Sequence, residues 1–143
     1  MNHDHTDPIA RGVAVFGEMH PPARTAAFAA ATDPAMPGGR MQRLAAEFVF
    51  GQIWGDTERL DRRSRSLVTL GALIALRTGD EFGNHVRVGI TNGLSHGEIE
   101  EVITHSAAYV GFPAARAAMM VAARTFAEDS TGESPSVPAG QSF

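Results

Sequence analysis

The sequence predicts an all-α fold. No segment alternates apolar and polar residues as a half-buried strand would. Apolar residues recur instead at helical spacing, as in Leu67, Leu70 and Ile74. Helix punctuation is dense as well. Ser95-x-x-Glu98 is a capping box, Asn92-Gly93 and Gly111 are stop signals, and Pro113 suits a first turn. No internal period repeats.

Taken in order, residues 1–7 are polar and expected to be a flexible N-terminus, with His3 and His5 solvated rather than metal-binding. Residues 8–32 are Ala-rich and predict two short helices separated by Pro21-Pro22. The Pro- and Gly-dense stretch 33–39 is a break. A helix follows over 40–53, with Leu44, Phe48 and Ile53 among its apolar positions, and 55–59 reads as a loop. Asp61 suits the N-cap of a helix running to Leu76. The next helix is expected over 81–91 and the one after it from Ser95 to Val110. The last, from Pro113 to Glu128, carries alanines almost all round with Met119, Met120 and Val121 among them. So apolar a helix is usually buried, and in so short a chain that means burial between subunits as well as within one. Residues 129–143 are rich in Ser, Gly and Pro and read as a disordered tail. The expected organisation is thus a single domain over 8–128 between two loose ends.

Composition narrows the function. The chain has 143 residues, 43% apolar and 20% charged, with a net charge of −4. That is an ordinary globular balance, long enough to bury a core without staples. No basic field points to nucleic acid, and no polybasic run, spanning-length apolar stretch or leader points to a membrane or to export. The expected setting is the cytoplasm and the expected partner a small-molecule substrate. Cysteine is absent, which removes disulfides, thiolate metal sites and thiol nucleophiles together.

The chemistry-bearing residues concentrate between 81 and 111. Glu81 and His85 stand four apart, so on a helix they share one face. The pair is either a positioned proton donor or acceptor working near neutral pH, or a surface pair of small energetic weight. Glu101 and His105 repeat the spacing. Glu101 reads as solvated, and His105 either lines a pocket or sits satisfied between helices. Di-metal helices use Glu-x-x-His with further glutamates, a spacing absent here, so no metal is expected. Arg62, Arg63 and Arg65 open one helix. Arg65 falls on the side of Val68 and Ala72, which suits a buried or subunit-bridging place, whereas Arg87 points away from the Glu81/His85 face and is expected in solvent. Trp54 is either core or pocket wall. Tyr109 is either a donor to substrate or a packed ring.

Several motifs occur together and in a fixed order: Phe50-Gly51-x-x-Trp54, Leu60-Asp61-Arg62-Arg63-Ser64-Arg65-Ser66-Leu67, Glu81-x-x-x-His85, Asn92-Gly93-Leu94, Glu98-Ile-x-Glu101-Val102 and Tyr109-x-Gly111-x-Pro113-Ala-Ala. In that order they resemble the carboxymuconolactone decarboxylase family over roughly 40–128, with residues 10–24 similar to a shortened form of its N-terminal segment. The resemblance implies an all-helical subunit in a ring-like homo-oligomer, a trimer or commonly a hexamer. It implies cofactor-free decarboxylation of a small unsaturated lactone acid in aromatic catabolism. His85 would then be the proton donor and Glu81 its orienter, with Trp54, Arg65, His105 and Tyr109 around the substrate. The related alkylhydroperoxidase D-like peroxidases need a Cys-x-x-Cys pair that this chain lacks.

Three features depart from the family pattern. The loop after Trp54 is one residue longer and lacks an Arg-Pro, Gln52 replaces an acidic residue, and Met119-Met120 replaces a Phe-His pair. Two of these remove groups that would hold a dianion. They leave open a related lyase, isomerase or cyclase acting on a more apolar biosynthetic intermediate. A non-catalytic oligomeric binding protein on the same scaffold is a further alternative.

Overall fold

The structure is a computed structural model and describes residues 7–132. Its elements are α1 (Pro8–Gly17), α2 (Pro22–Ala31), α3 (Gly39–Leu44), a π-helical segment (Ala45–Trp54), α4 (Arg62–Leu76), α5 (Gly79–Thr91), α6 (His96–Val110) and α7 (Phe112–Thr131). No strand occurs among the described residues, and the fold is all-α. Nearly all of the expected N-terminal and C-terminal loose ends lie outside the described residues. Two compact units make up the chain, one reaching to Asp61 and the other starting at Arg62.

The first unit is held by aromatic stacking. Asp7 caps α1 by accepting from Ile9 N–H at 3.0 Å. The Phe16 ring lies between the His20 ring, 3.6 Å away, and the Phe28 ring, 4.1 Å away, with both stacks nearly parallel. Phe50 meets Phe16 and Phe28 edge-on at 4.9 and 5.3 Å. Offset and edge contacts of this kind exceed what area burial alone supplies. The helix predicted over 40–53 is present, but it changes character after Leu44. From Ala45 on it widens to i→i+5 pairing, which moves the apolar repeat to steps of four and five residues. Leu44, Phe48, Val49 and Ile53 thereby line up on an exposed stripe, while Ala46, Gly51 and Trp54 are buried. The widened turn also brings Ala46 against Gly12 of α1 with no side chain between them.

The second unit is a four-helix arrangement in which α4 packs on α5 and α6, and α7 packs on the same two helices. Leu70 and Ile74 of α4, Phe82 and Val86 of α5, Ile99 and Ile103 of α6, and Ala115, Ala118 and Ala122 of α7 form one core. The alanines admit α7 close to its neighbours. Buried hydroxyls are satisfied: Ser106 donates to the Val102 carbonyl at 2.7 Å, Thr125 to that of Val121 at 2.9 Å, and Ser66 accepts from Asn92 Nδ2 at 3.0 Å. Burying these groups unpaired would be costly.

The predicted punctuation largely governs this unit. Ser95 and Glu98 make the reciprocal capping box. Gly93 and Gly111 take φ of 97° and 89°, the left-handed region that a chain stop requires. Asn92, also expected there, keeps a negative φ of −83°. Two expectations need correction. The last helix runs on to Thr131 rather than ending near Glu128, and Gly132 stops it with φ 69°. Arg87 is not free in solvent: it is half-buried and ion-paired with Glu128 of α7, because the turn after Val86 faces the last helix.

Candidate active site

The α5 helix begins at Gly79 and places Asp80 and Glu81 in its first turn, where carboxylates complement the helix dipole. Its inward face is Phe82, Val86 and Gly89, all buried. That register leaves Glu81, Asn84 and His85 together on an adjacent face. Glu81 is exposed, Asn84 and His85 are half-buried, and the His85 Nδ1 atom is withdrawn from solvent. Asn84 Nδ2 donates to Glu81 Oε1 at 3.2 Å. The carboxylate expected to hold the imidazole is thus itself held by the amide one residue before it. Sequence reasoning missed Asn84, although an amide three residues after a carboxylate is itself a helical pairing signal.

On α6, the His105 and Tyr109 rings lie 5.3 Å apart with a 42° tilt, and both residues are exposed. Tyr109 is 79% exposed and Phe112, just beyond it, 81%. Arg65 is half-buried on α4 beside Ser66, while Val68 and Ala72, on the side assigned to it, are exposed. Trp54 belongs to the first unit, where it ends the π-helical segment and is buried. Glu101 is exposed.

A cavity of about 120 Å³ in the second unit is lined by Leu73, Arg77, Thr78, Phe82, Pro113 and Val121 among others, and not by Glu81 or His85. Among the described residues, no group of three or more His, Asp or Glu side chains is placed to hold a metal ion. No helix of the described residues is long and apolar enough to cross a membrane.

An ion pair between α4 and α6 lies at the start of α6. Glu98 accepts from Ser95 N–H at 2.9 Å and from Arg63 of α4. The Ser95 backbone donor first, and the Arg63 guanidinium second, hold its carboxyl below the usual carboxylate range. This fastens the α6 N-terminus to α4 and so fixes the base of the helix that carries His105 and Tyr109.

The described residues are all-helical, the chain has no cysteine, and α5 carries a carboxylate and a half-buried imidazole four residues apart on one face. Residues 39–124 match the carboxymuconolactone decarboxylase family, and the chain belongs to that family. All six residues expected at the site, from Trp54 to Tyr109, fall within the matched segment. The chain is 39% identical over 85 residues to the 4-carboxymuconolactone decarboxylase of Acinetobacter baylyi, covering 59% of this chain and 63% of that protein. It is 40% identical over 84 residues to the nitrosuccinic acid decarboxylase npaB of Metarhizium robertsii, covering 59% of this chain and 58% of that one. The chain thus spans about three-fifths of the length of these curated relatives.

Proposed function

We propose that this protein is a cofactor-free decarboxylase of a small acid whose leaving carboxylate sits where a neighbouring group takes up the electron pair. The observation that carries the reading is the Glu81/His85 face of α5, which lies inside the family match. The names of the two relatives support the substrate class. One acid carries an unsaturated lactone and the other a nitro group, and both groups are electron sinks. The carbon–carboxylate bond breaks, carbon dioxide leaves, and the electron pair moves onto the lactone carbonyl or the nitro group. A proton then returns to carbon, so the reaction consumes one proton in all. The protein must bind the acid, stabilise the developing charge and deliver that proton.

In this reading His85 delivers the proton through Nε2, since Nδ1 is withdrawn from solvent. Glu81 orients the imidazole during the cycle. Arg65, His105 and Tyr109 contribute binding groups, and solvent reprotonates His85. The protein works as a homo-oligomer, which covers the exposed Tyr109 and Phe112.

A second reading keeps the chemistry and changes the acid. It is favoured by the fact that two relatives of nearly equal identity are named for different substrates. Here the missing loop Arg-Pro and Met119-Met120 point to a substrate with fewer charges than 4-carboxymuconolactone. Carbon dioxide release is to be measured on 4-carboxymuconolactone, on nitrosuccinate and on a monocarboxylate analogue of each. A kcat/KM on either dianion above about 10⁵ M⁻¹s⁻¹ supports the first reading, and preference for a monocarboxylate supports the second. No release from any of them would overturn both.

A further inference from the structure

Glu81, Asn84 and His85 form a fork. Helical side chains lean toward the N-terminus, so Asn84 and His85 both reach back over the turn that carries Glu81. They do so at i+3 and i+4, the two spacings at which helical side chains meet. One carboxylate therefore has two candidate donors, and Asn84 Nδ2 holds it at 3.2 Å. We infer that Asn84 is a positioning residue: it competes with His85 for the Glu81 carboxylate and so sets how strongly that carboxylate supports the imidazolium. The inference rests on the reading of His85 as proton donor.

The chemistry follows from the placement. With the carboxylate on the imidazole, the protonated ring is stabilised by the adjacent charge and gives up its proton less readily. With the carboxylate on Asn84, the imidazolium is the stronger acid and the better donor to carbon. An amide suits the task, because it donates to a carboxylate without titrating itself. The pair is also partly shielded, since Asn84 is half-buried beside the exposed Glu81. A purely structural Asn84, tying one helical turn, would change stability and leave the His85 titration alone.

The test is an NMR titration of the His85 ring in the full chain, with the signal assigned by its loss in His85→Asn. Wild type, Asn84→Leu, Asn84→Ala, Asn84→Gln and the double variant Asn84→Leu/Glu81→Gln are compared. The charged and titratable groups of the helices packed against α5 are unchanged throughout, so differences isolate Glu81: Arg62, Arg63 and Arg65 on α4, His96, Glu98, Glu100, Glu101 and His105 on α6, and Arg116, Arg124, Glu128 and Asp129 on α7. In Asn84→Leu and Asn84→Ala the midpoint should rise by a few tenths of a pH unit, the scale of an exposed i,i+4 pair. Asn84→Gln should restore the wild-type midpoint, and the added Glu81→Gln should abolish the rise. An unmoved midpoint in two folded variants, or a rise that survives Glu81→Gln, would overturn the proposal. The titration needs no substrate, so it is separate from the proton-donor reading. That reading fails instead if His85→Asn keeps its turnover.

Discussion

Gly12 of α1 and Ala46 of the π-helical segment meet backbone to backbone: a Cβ on Gly12 would stand 1.8 Å from the Ala46 carbonyl oxygen. No side-chain rotation relieves such a clash, so one helix must move. Gly12→Ala should destabilise the first unit by about 3 kcal/mol, the upper range of overpacking. Trp54, the sole tryptophan, lies in the same unit, and its fluorescence in urea reports the loss. Gly71, in the middle of α4, has open space where a methyl group would stand, with nothing within 4 Å. Gly71→Ala should therefore gain up to about 1 kcal/mol of helix propensity, read by circular dichroism. Equal effects of the two substitutions would mean that the close approach at Gly12 is absent in solution.

The Glu98 carboxyl is held below its ordinary range by Ser95 N–H and by Arg63. A depressed folded value means that the unfolded chain binds the proton more tightly. The stability it contributes is therefore complete above the ordinary carboxylate value and is lost as pH falls through the depressed one. Urea midpoints of wild type and Glu98→Gln should differ at pH 7, and the difference should shrink as pH falls below the ordinary carboxylate range. A gap that is constant or widens toward acid would show that the charge of Glu98 is not what ties α6 to α4.

Much of the second unit is legible in the sequence, because its signals are local. Ser95 and Glu98 announce a helix start from four consecutive residues, and Gly93 and Gly111 announce stops from a conformation few other residues adopt. The π-helical segment is not legible. Leu44 and Phe48 stand four apart, which suits either an α or a π turn, and the backbone neighbour of this segment, Gly12, lies more than thirty residues earlier. Periodicity alone puts Arg87 in solvent, on the face opposite Glu81. Its partner Glu128 lies 41 residues away on another helix, beyond the reach of any local pattern. At the candidate site the Glu81/His85 face is readable from spacing alone. The hold of Asn84 on the carboxylate is not, because i+3 and i+4 donors compete on nearly equal terms.

Tyr109 and Phe112 straddle the Gly111 stop and stand almost wholly in solvent, with Val68, Leu76 and Met120 also exposed in the same unit. Exposed apolar surface of this kind suits the proposed homo-oligomer. Light scattering should give a mass several times the 15.2 kDa of one chain. Phe112→Glu should lower that mass at micromolar concentration while the helical content stays. A wild-type monomer under those conditions would refute the assembly.

His85 is the residue on which the proposed chemistry turns, so it gives the strongest kinetic prediction. It is half-buried on a helix face whose core contacts are made by Phe82 and Val86, and replacing it should leave the fold intact. His85→Ala and His85→Asn should retain the wild-type circular dichroism and lose about 10²–10⁴-fold in kcat, the usual contribution of a positioned general acid. Glu81→Gln should lose less, since it removes a charge beside the donor and leaves the donor in place. The informative comparison is kcat against KM. A proton donor acts in the transition state, so its loss should fall on kcat with KM nearly unchanged, whereas a residue that only binds the acid would raise KM. A His85→Ala variant with near-normal kcat on the preferred acid would move the proton transfer to another group, with His105 the first to be replaced in turn.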